Sequence, residues 1–369
     1  MQRECLSEAK FSSVANVAKC LRAFVKNQSI GKTRPNSMDA LITQNLTQLG
    51  NLVRTKTADD ATHVHSIETL PGHAGFSYSF ILERPGDPPV KLVLRLAPPG
   101  VKIAGPADIV RQARIMQSLK DTAIPVPRIL WCGQEPEFFG RPYFVGEFLE
   151  GVKLSDDPYD PPKMAELARK GIAMIAALHS LDSESRRDAF GDPVSLAEEI
   201  NRLDTLIDRP TLDPKVVARG PELRARLRAS IPSNPRIGCV HGDFQWSNIL
   251  YDETKPIALF DWEISSIGPT LIDIGWVSFF ADQKSWIPEE TRVRPLAPEE
   301  ILETYAAAAT FPVDPDEVRW FRAFAGYRFG VITCFNLMLH RRGKRDDPHW
   351  EEIALSGPLM FERGLELLG

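Results

Sequence analysis

The chain has 369 residues, 43% hydrophobic and 25% charged, enough for two or three lobes around a sizeable core. Its net charge of −5 argues against the basic field of a nucleic-acid binder. The five cysteines are scattered and form no C-x-x-C pair. That pattern argues against a disulfide framework or a zinc site, and fits free thiols in a reducing, cytoplasmic compartment.

Residues 11–25 and 38–54 space their apolar side chains as helices do, for example Val14, Val17, Leu21 and Phe24. The stretch Gly31 to Asn36 reads as a loop, with Ser37 as the expected cap of the second helix. Residues 1–60 are therefore expected to be a helical extension, a packing element or a route to a homodimer. Met1 to Lys10 lacks the apolar segment of a signal peptide. From Val64 the texture becomes β-like. Phe76–Leu82 and Val90–Leu96 are expected strands on either side of the turn-rich Arg84 to Pro89. Pro106–Lys120 has helical spacing, with Ile109, Ala113, Met116 and Leu119 on one face. Pro127–Trp131 and Tyr143–Leu149 complete a small sheet with one helix, giving a first lobe over 61–150.

Beyond Gly151 the pattern is mainly helical. Lys163–Ser180 carries Met164, Ala168, Gly171, Ile175 and Leu178 on one stripe. Regions 194–230, 298–310 and 315–340 are also helix-rich, around a short β segment at 237–263. The apolar run Phe329–Leu339 is too short to span a bilayer and is expected to be a buried helix, so no membrane partner is implied. His179, Trp286, Trp320, Tyr327 and Phe335 are expected in the core. The fold class is α+β: a small antiparallel-sheet lobe with one helix, and a larger, mostly helical lobe over 151–369. Ligands favour the cleft between such lobes.

The chemistry concentrates in Cys239-Val240-His241-Gly242-Asp243-Phe244-Gln245-Trp246-Ser247-Asn248, followed by Asp261-Trp262-Glu263. Asn248–Tyr251 and Ile257–Asp261 are short apolar runs joined by a turn-like Asp252 to Pro256. Folding them as a hairpin brings Asn248 and Asp261 to one end, where directly paired residues sit about 5 Å apart. An amide oxygen and a carboxylate so placed suit one hard cation such as Mg²⁺. Asp243, in the preceding loop, is placed to accept a proton from an attacking hydroxyl.

This H-G-D-x4-N and D-x-E pattern resembles the aminoglycoside phosphotransferase and choline kinase superfamily. It is most similar to the branch associated with certain acyl-CoA dehydrogenases. The resemblance spans roughly residues 65–340. It includes Leu94-Arg95, Pro125-Val126-Pro127, Glu147 to Gly151, Leu178-His179-Ser180, and Gly268-Pro269 through Asp273. It implies a two-lobed, protein-kinase-like fold and transfer of a phosphate from ATP, with Mg²⁺, to a hydroxyl of a small molecule.

By that resemblance Asp243 is the catalytic base, and Asn248 and Asp261 hold the metal. Glu263 touches a second metal or the acceptor. His241 is structural, and Asp273 braces the catalytic loop. Glu147, Phe148 and Leu149 offer backbone groups to the base. The loop containing Gly72 and Gly75 covers the phosphates. Arg95 and Gln112 stand where kinases of this architecture carry a lysine–glutamate pair. An arginine can still fork onto phosphate oxygens.

Two other classes compete. Arg95 and Gln112 suit a catalytically weak or inactive nucleotide-binding module, and His241 with Asp243 suits a metal-dependent hydrolase. A protein kinase is disfavoured, because no D-F-G, A-P-E or long activation segment follows Asp261. The basic run His340 to Arg345 reads as a solvated helix end that complements the helix dipole. Its sharper alternative is a rim that binds an anionic acceptor.

Overall fold

The computed structural model describes residues 35–70, 76–99 and 108–369; the expected helix at 11–25 and the loop carrying Gly72 and Gly75 lie outside them. Helix α1 runs Pro35–Thr57. It begins before Ser37, the expected cap, because the fixed φ of proline suits a first helical turn and its missing N–H costs nothing there.

Five antiparallel strands follow: β1 (His63–Thr69), β2 (Ser77–Glu83), β3 (Val90–Leu96), β4 (Ile129–Gly133) and β5 (Tyr143–Glu147), in the order β1-β2-β3-β5-β4. Period-two alternation sets the faces: Leu92, Leu94 and Leu96 of β3 are buried, while Val93 and Arg95 on the other face are partly exposed. Leu49, Leu52 and Val53 of α1 are fully buried in the same apolar cluster as Phe80 and Leu94.

Helix α2 (Ile109–Leu119) starts where the Asp108 side chain caps the Arg111 N–H. Its apolar face does not join the cluster on the sheet. Ile109, Ala113, Met116 and Leu119 belong to the larger core of the helical lobe. Arg111 ties the two together by donating to the carbonyls of Phe190 and Ser265.

The second lobe is mainly helical. Its principal helices are α3 (Pro161–His179), α4 (Leu196–Ile207), α5 (Gly220–Ala229), α6 (Leu271–Ala281), α7 (Pro298–Ala308), α8 (Pro315–Arg341) and α9 (Gly357–Leu368). All five stripe residues expected on α3 are buried. The run Phe329–Leu339 is the second half of the 27-residue α8, and most of it is buried. His179, Trp286, Trp320, Tyr327 and Phe335 are core residues, as expected. Helices α6 and α8 meet closely at Gly275, where an added Cβ would lie 2.4 Å from the Phe321 backbone.

Two short ribbons stand in front of these helices. β6 (Ile237–Val240) pairs with β9 (Ser266–Pro269), and β7 (Ile249–Tyr251) pairs with β8 (Pro256–Leu259). The β7–β8 turn is held by Asp252, whose Oδ1 accepts the N–H groups of Thr254 (2.7 Å) and Lys255 (2.8 Å). The linker between lobes is stitched to this ribbon. Val152 and Tyr251 exchange two backbone hydrogen bonds (2.9 and 2.8 Å). Among the described residues no helix is long and apolar enough to cross a membrane.

Candidate active site

The loop from β6 to β7 owes its shape to one buried carboxylate. Asp273, at the start of α6 and inaccessible to solvent, accepts the backbone N–H of His241 (2.8 Å) at Oδ2 and that of Gly242 (2.7 Å) at Oδ1. Its Oδ2 also faces His179 Nε2 at 3.1 Å, and His179 Nδ1 meets the Tyr305 hydroxyl at 2.7 Å. A buried carboxylate needs this many partners.

Gly242 has φ +87, and a Cβ there would sit 2.6 Å from the Ile264 carbonyl, so the position requires glycine on both counts. The His241 ring is locked in turn. Nε2 faces the Phe260 carbonyl (2.6 Å), which can only accept, so Nε2 carries the proton and Nδ1 accepts the Asp243 N–H (3.3 Å). Trp262 packs edge-on against it at 4.8 Å. Both ring nitrogens are spent, which takes away the free imidazole that a hydrolase would need.

The ribbon brings the acidic groups together with an offset. Asn248 pairs through its carbonyl with the Phe260 N–H (2.9 Å), so Asp261 stands one residue beyond the rung instead of directly opposite. Asp261 takes the left-handed conformation (φ 64, ψ 58), one that aspartate tolerates better than most residues, and turns the chain into the 3₁₀ turn Trp262–Ile264.

The Asn248 Nδ2 donates to the Asp243 carbonyl (2.8 Å) and to its Oδ2 (2.9 Å). The amide nitrogen is thereby used, and the amide oxygen is left as its ligand atom. Two donors not anticipated from sequence complete the Asp243 carboxylate. Gln245 Nε2 (3.0 Å) and Trp276 Nε1 (2.8 Å) both reach Oδ1.

Charge is uncompensated here. Burial pushes the Asp243 carboxyl above its usual range, and the Asp261 charge adds to the rise. Glu263 is pushed well above the usual carboxylate range by burial, then by the Asp261 charge; Arg95 opposes this, and a smaller push comes from Asp243. Arg95, on β3, thus acts across the cleft on Glu263. Gln112 is buried on α2. The Glu147 N–H is taken by the Arg128 carbonyl (2.9 Å), and Phe148 and Leu149 follow it into the linker.

The set fits a hard cation. Asp261 Oδ1 is buried without a hydrogen-bond partner, an acceptor whose satisfaction calls for a cation or a donor. Oxygen donors from one amide and one or two acids match Mg²⁺, which keeps its other positions for water and phosphate. Among the described residues no group of three or more histidine, cysteine or acidic side chains is arranged as a metal cage. A site of one amide and one or two acids does not require one.

Two arginines of the basic run at the end of α8 are paired with acids, while Arg342 and Lys344 are exposed. Arg341 forks onto Glu351 (2.7 Å to each oxygen) and reaches Asp213 (2.6 Å). Arg345 is buried against Asp347 at 3.1 Å. An open cleft of about 430 Å³ lies beside Arg341 and Arg342, lined by none of the catalytic-loop residues.

Comparison with known proteins gives a consistent picture. Residues 66–321 match the phosphotransferase enzyme family. Among curated proteins, acyl-CoA dehydrogenase family member 11 of Mus musculus is 28% identical over 294 residues, covering 74% of this chain and 37% of that protein. Family member 10 of the same species is 25% identical over 192 residues, covering 50% and 18% respectively. The chain thus spans well under half the length of these relatives.

Among solved structures, an aminoglycoside-phosphotransferase-like protein of Ralstonia eutropha JMP134 superposes with TM-score 0.70 at 20% identity, covering 87% of this chain and 97% of that one. A thermostable mutant of the aminoglycoside phosphotransferase APH(4)-Ia, bound to AMP-PNP and hygromycin B, gives TM-score 0.57 at 15% identity, covering 87% and 98%. The fold is that of the kinase-like aminoglycoside phosphotransferases.

Proposed function

The chain belongs to the phosphotransferase enzyme family, and on that footing we propose that it moves the γ-phosphate of ATP to a hydroxyl of a small molecule, with Mg²⁺. One observation carries the reading. Asp243, Asn248 and Asp261, from a loop and two strand ends, interact within one braced corner.

In the proposed reaction the acceptor oxygen forms a bond to phosphorus, the bond to ADP breaks, and Asp243 takes the hydroxyl proton. Asn248 and Asp261 are the residues that would hold the metal, which when bound neutralises charge on the phosphates. Arg95 supplies fixed positive charge from the sheet lobe, and Phe148 and Leu149 face the base. The sheet lobe serves nucleotide and the helical lobe serves acceptor. A structural neighbour captured with AMP-PNP and hygromycin B supports nucleotide use by this fold.

A cationic side chain lies against the catalytic loop. Arg328 donates to the Gly242 carbonyl (3.1 Å) and lies 4.6 Å over the Trp276 ring. Neutral or anionic acceptors are therefore expected ahead of polycationic ones. The test is ADP release with Mg²⁺-ATP against sugars, amino alcohols, aminoglycosides and hydroxyacyl thioesters, with Asp243→Ala as blank. Acceptor-dependent ADP release lost in the blank supports the kinase. Tight nucleotide binding with no turnover on any acceptor supports the inactive module instead.

A further inference from the structure

We propose that Trp276 is a positioning residue for the proton acceptor. Its indole N–H fixes the rotation of the Asp243 carboxylate, so that Oδ2 is the oxygen offered to the acceptor hydroxyl. The proposal rests on the reading of Asp243 as the base.

A carboxylate offers two acceptor directions on each oxygen. At Asp243, Oδ1 receives both Gln245 Nε2 (3.0 Å) and Trp276 Nε1 (2.8 Å), and Oδ2 receives Asn248 Nδ2 (2.9 Å). Oδ1 is full, and one direction on Oδ2 stays open. Gln245 is a partly exposed loop residue and Asn248 reaches only Oδ2, so neither makes a rigid stop for Oδ1.

Trp276 does. It is 4% exposed, edge-on to Phe280 at 5.1 Å and to Phe329 at 5.8 Å, and covered by the Arg328 guanidinium. Its helix cannot drift, because the neighbouring Gly275 lies against the Phe321 backbone. An indole N–H only donates, so it holds the oxygen in its acceptor form, which a hydroxyl or amide able to turn round would not do.

The test uses the full chain, Mg²⁺-ATP, and water as the acceptor, with ADP release as readout. Trp276→Phe keeps the ring packing and removes the N–H. It is expected to lower kcat about tenfold or more while KM for ATP stays within about twofold, as for a misplaced catalytic group. In an Asp243→Asn background the same substitution is expected to cost nothing further.

Trp276→His, which retains a ring N–H, should fall between the two. Equal losses from Trp276→Phe in both backgrounds, or no loss in either, overturn the positioning role while leaving Asp243 as base. Full activity of Asp243→Asn overturns both. A second readout needs no tryptophan variant. In protein labelled with ¹⁵N-tryptophan, one indole proton should move upfield on Asp243→Ala, and an unmoved set of indole resonances overturns the proposal.

Discussion

Two charged clusters in the helical lobe are built on opposite plans. Near the end of α8, and beside α6, every buried or half-buried charge named here meets its opposite: Arg345 meets Asp347, Arg341 meets Glu351 and Asp213, and Asp282 meets Arg322 and Arg363. In the catalytic corner the Asp261 charge raises the proton affinity of both Asp243 and Glu263, and at Glu263 only Arg95 pulls the other way. The first arrangement is scaffolding, complete in itself. The second, on the proposed reading, is completed when cation and phosphate supply the missing charge.

The contrast is open to attack at both ends. The largest effect is expected from Asp243→Ala, with phosphoryl transfer falling by about 10² to 10⁴ in kcat, measured by ADP release. An unaffected kcat would remove the corner's claim to chemistry. Asp261→Asn should abolish the rise in Tm that Mg²⁺-ATP gives the wild type. It should also raise the Tm of the ligand-free protein, since a carboxylate repelled by its neighbours has been neutralised. A fall in the ligand-free Tm would show Asp261 to be scaffold after all.

At a completed cluster the sign reverses. Asp282→Asn takes from Arg322 and Arg363 the buried carboxylate oxygen that each approaches at 2.8 Å, leaving them only the exposed Glu299 (3.5 Å) and Glu366 (2.8 Å). The expected loss is about 3 kcal/mol in urea unfolding. The Arg363 hydrogen bond and both guanidinium charges hold the Asp282 carboxyl below its usual range, in spite of burial. Its folded-state pKa is thus depressed. The stabilisation is fully present above the unfolded value of about 4 and is lost as pH falls through the lower folded value. The stability gap between wild type and Asp282→Asn should therefore close only below about pH 4. Least is expected of Arg341→Ala. The side chain is 47% exposed, so despite three short contacts the cost should stay under about 1 kcal/mol.

Sequence patterns revealed the scaffold more readily than the corner's finer geometry. Alternation located β3 to the residue, and the stripe from Met164 to Leu178 located α3, because each element buries one face and must repeat it. The hairpin was legible from its turn composition, but its register was not. A one-residue offset between Asn248 and Asp261 depends on the Phe260 N–H and the left-handed Asp261, which no periodicity encodes. Trp276 was missed for a related reason. It lies 33 residues beyond Asp243 in a helix apolar on every side, where an indole reads as core. Its one polar atom is what distinguishes it. A buried tryptophan needs a partner for that atom, and this could have prompted the question.

The stitch between Val152 and Tyr251 bears on how the molecule can move and vary. Because the chain is pinned to the ribbon there, any opening of the cleft must be taken up by the five residues Glu147 to Gly151. Gly151 itself has no spare room, since a Cβ would meet the Tyr251 carbonyl at 2.5 Å. The jaws therefore turn on a pivot of fixed length. Lengthening it by even two residues would slacken the coupling of the sheet to the ribbon, leaving the packing of α2 into the helical core as the tie between the lobes.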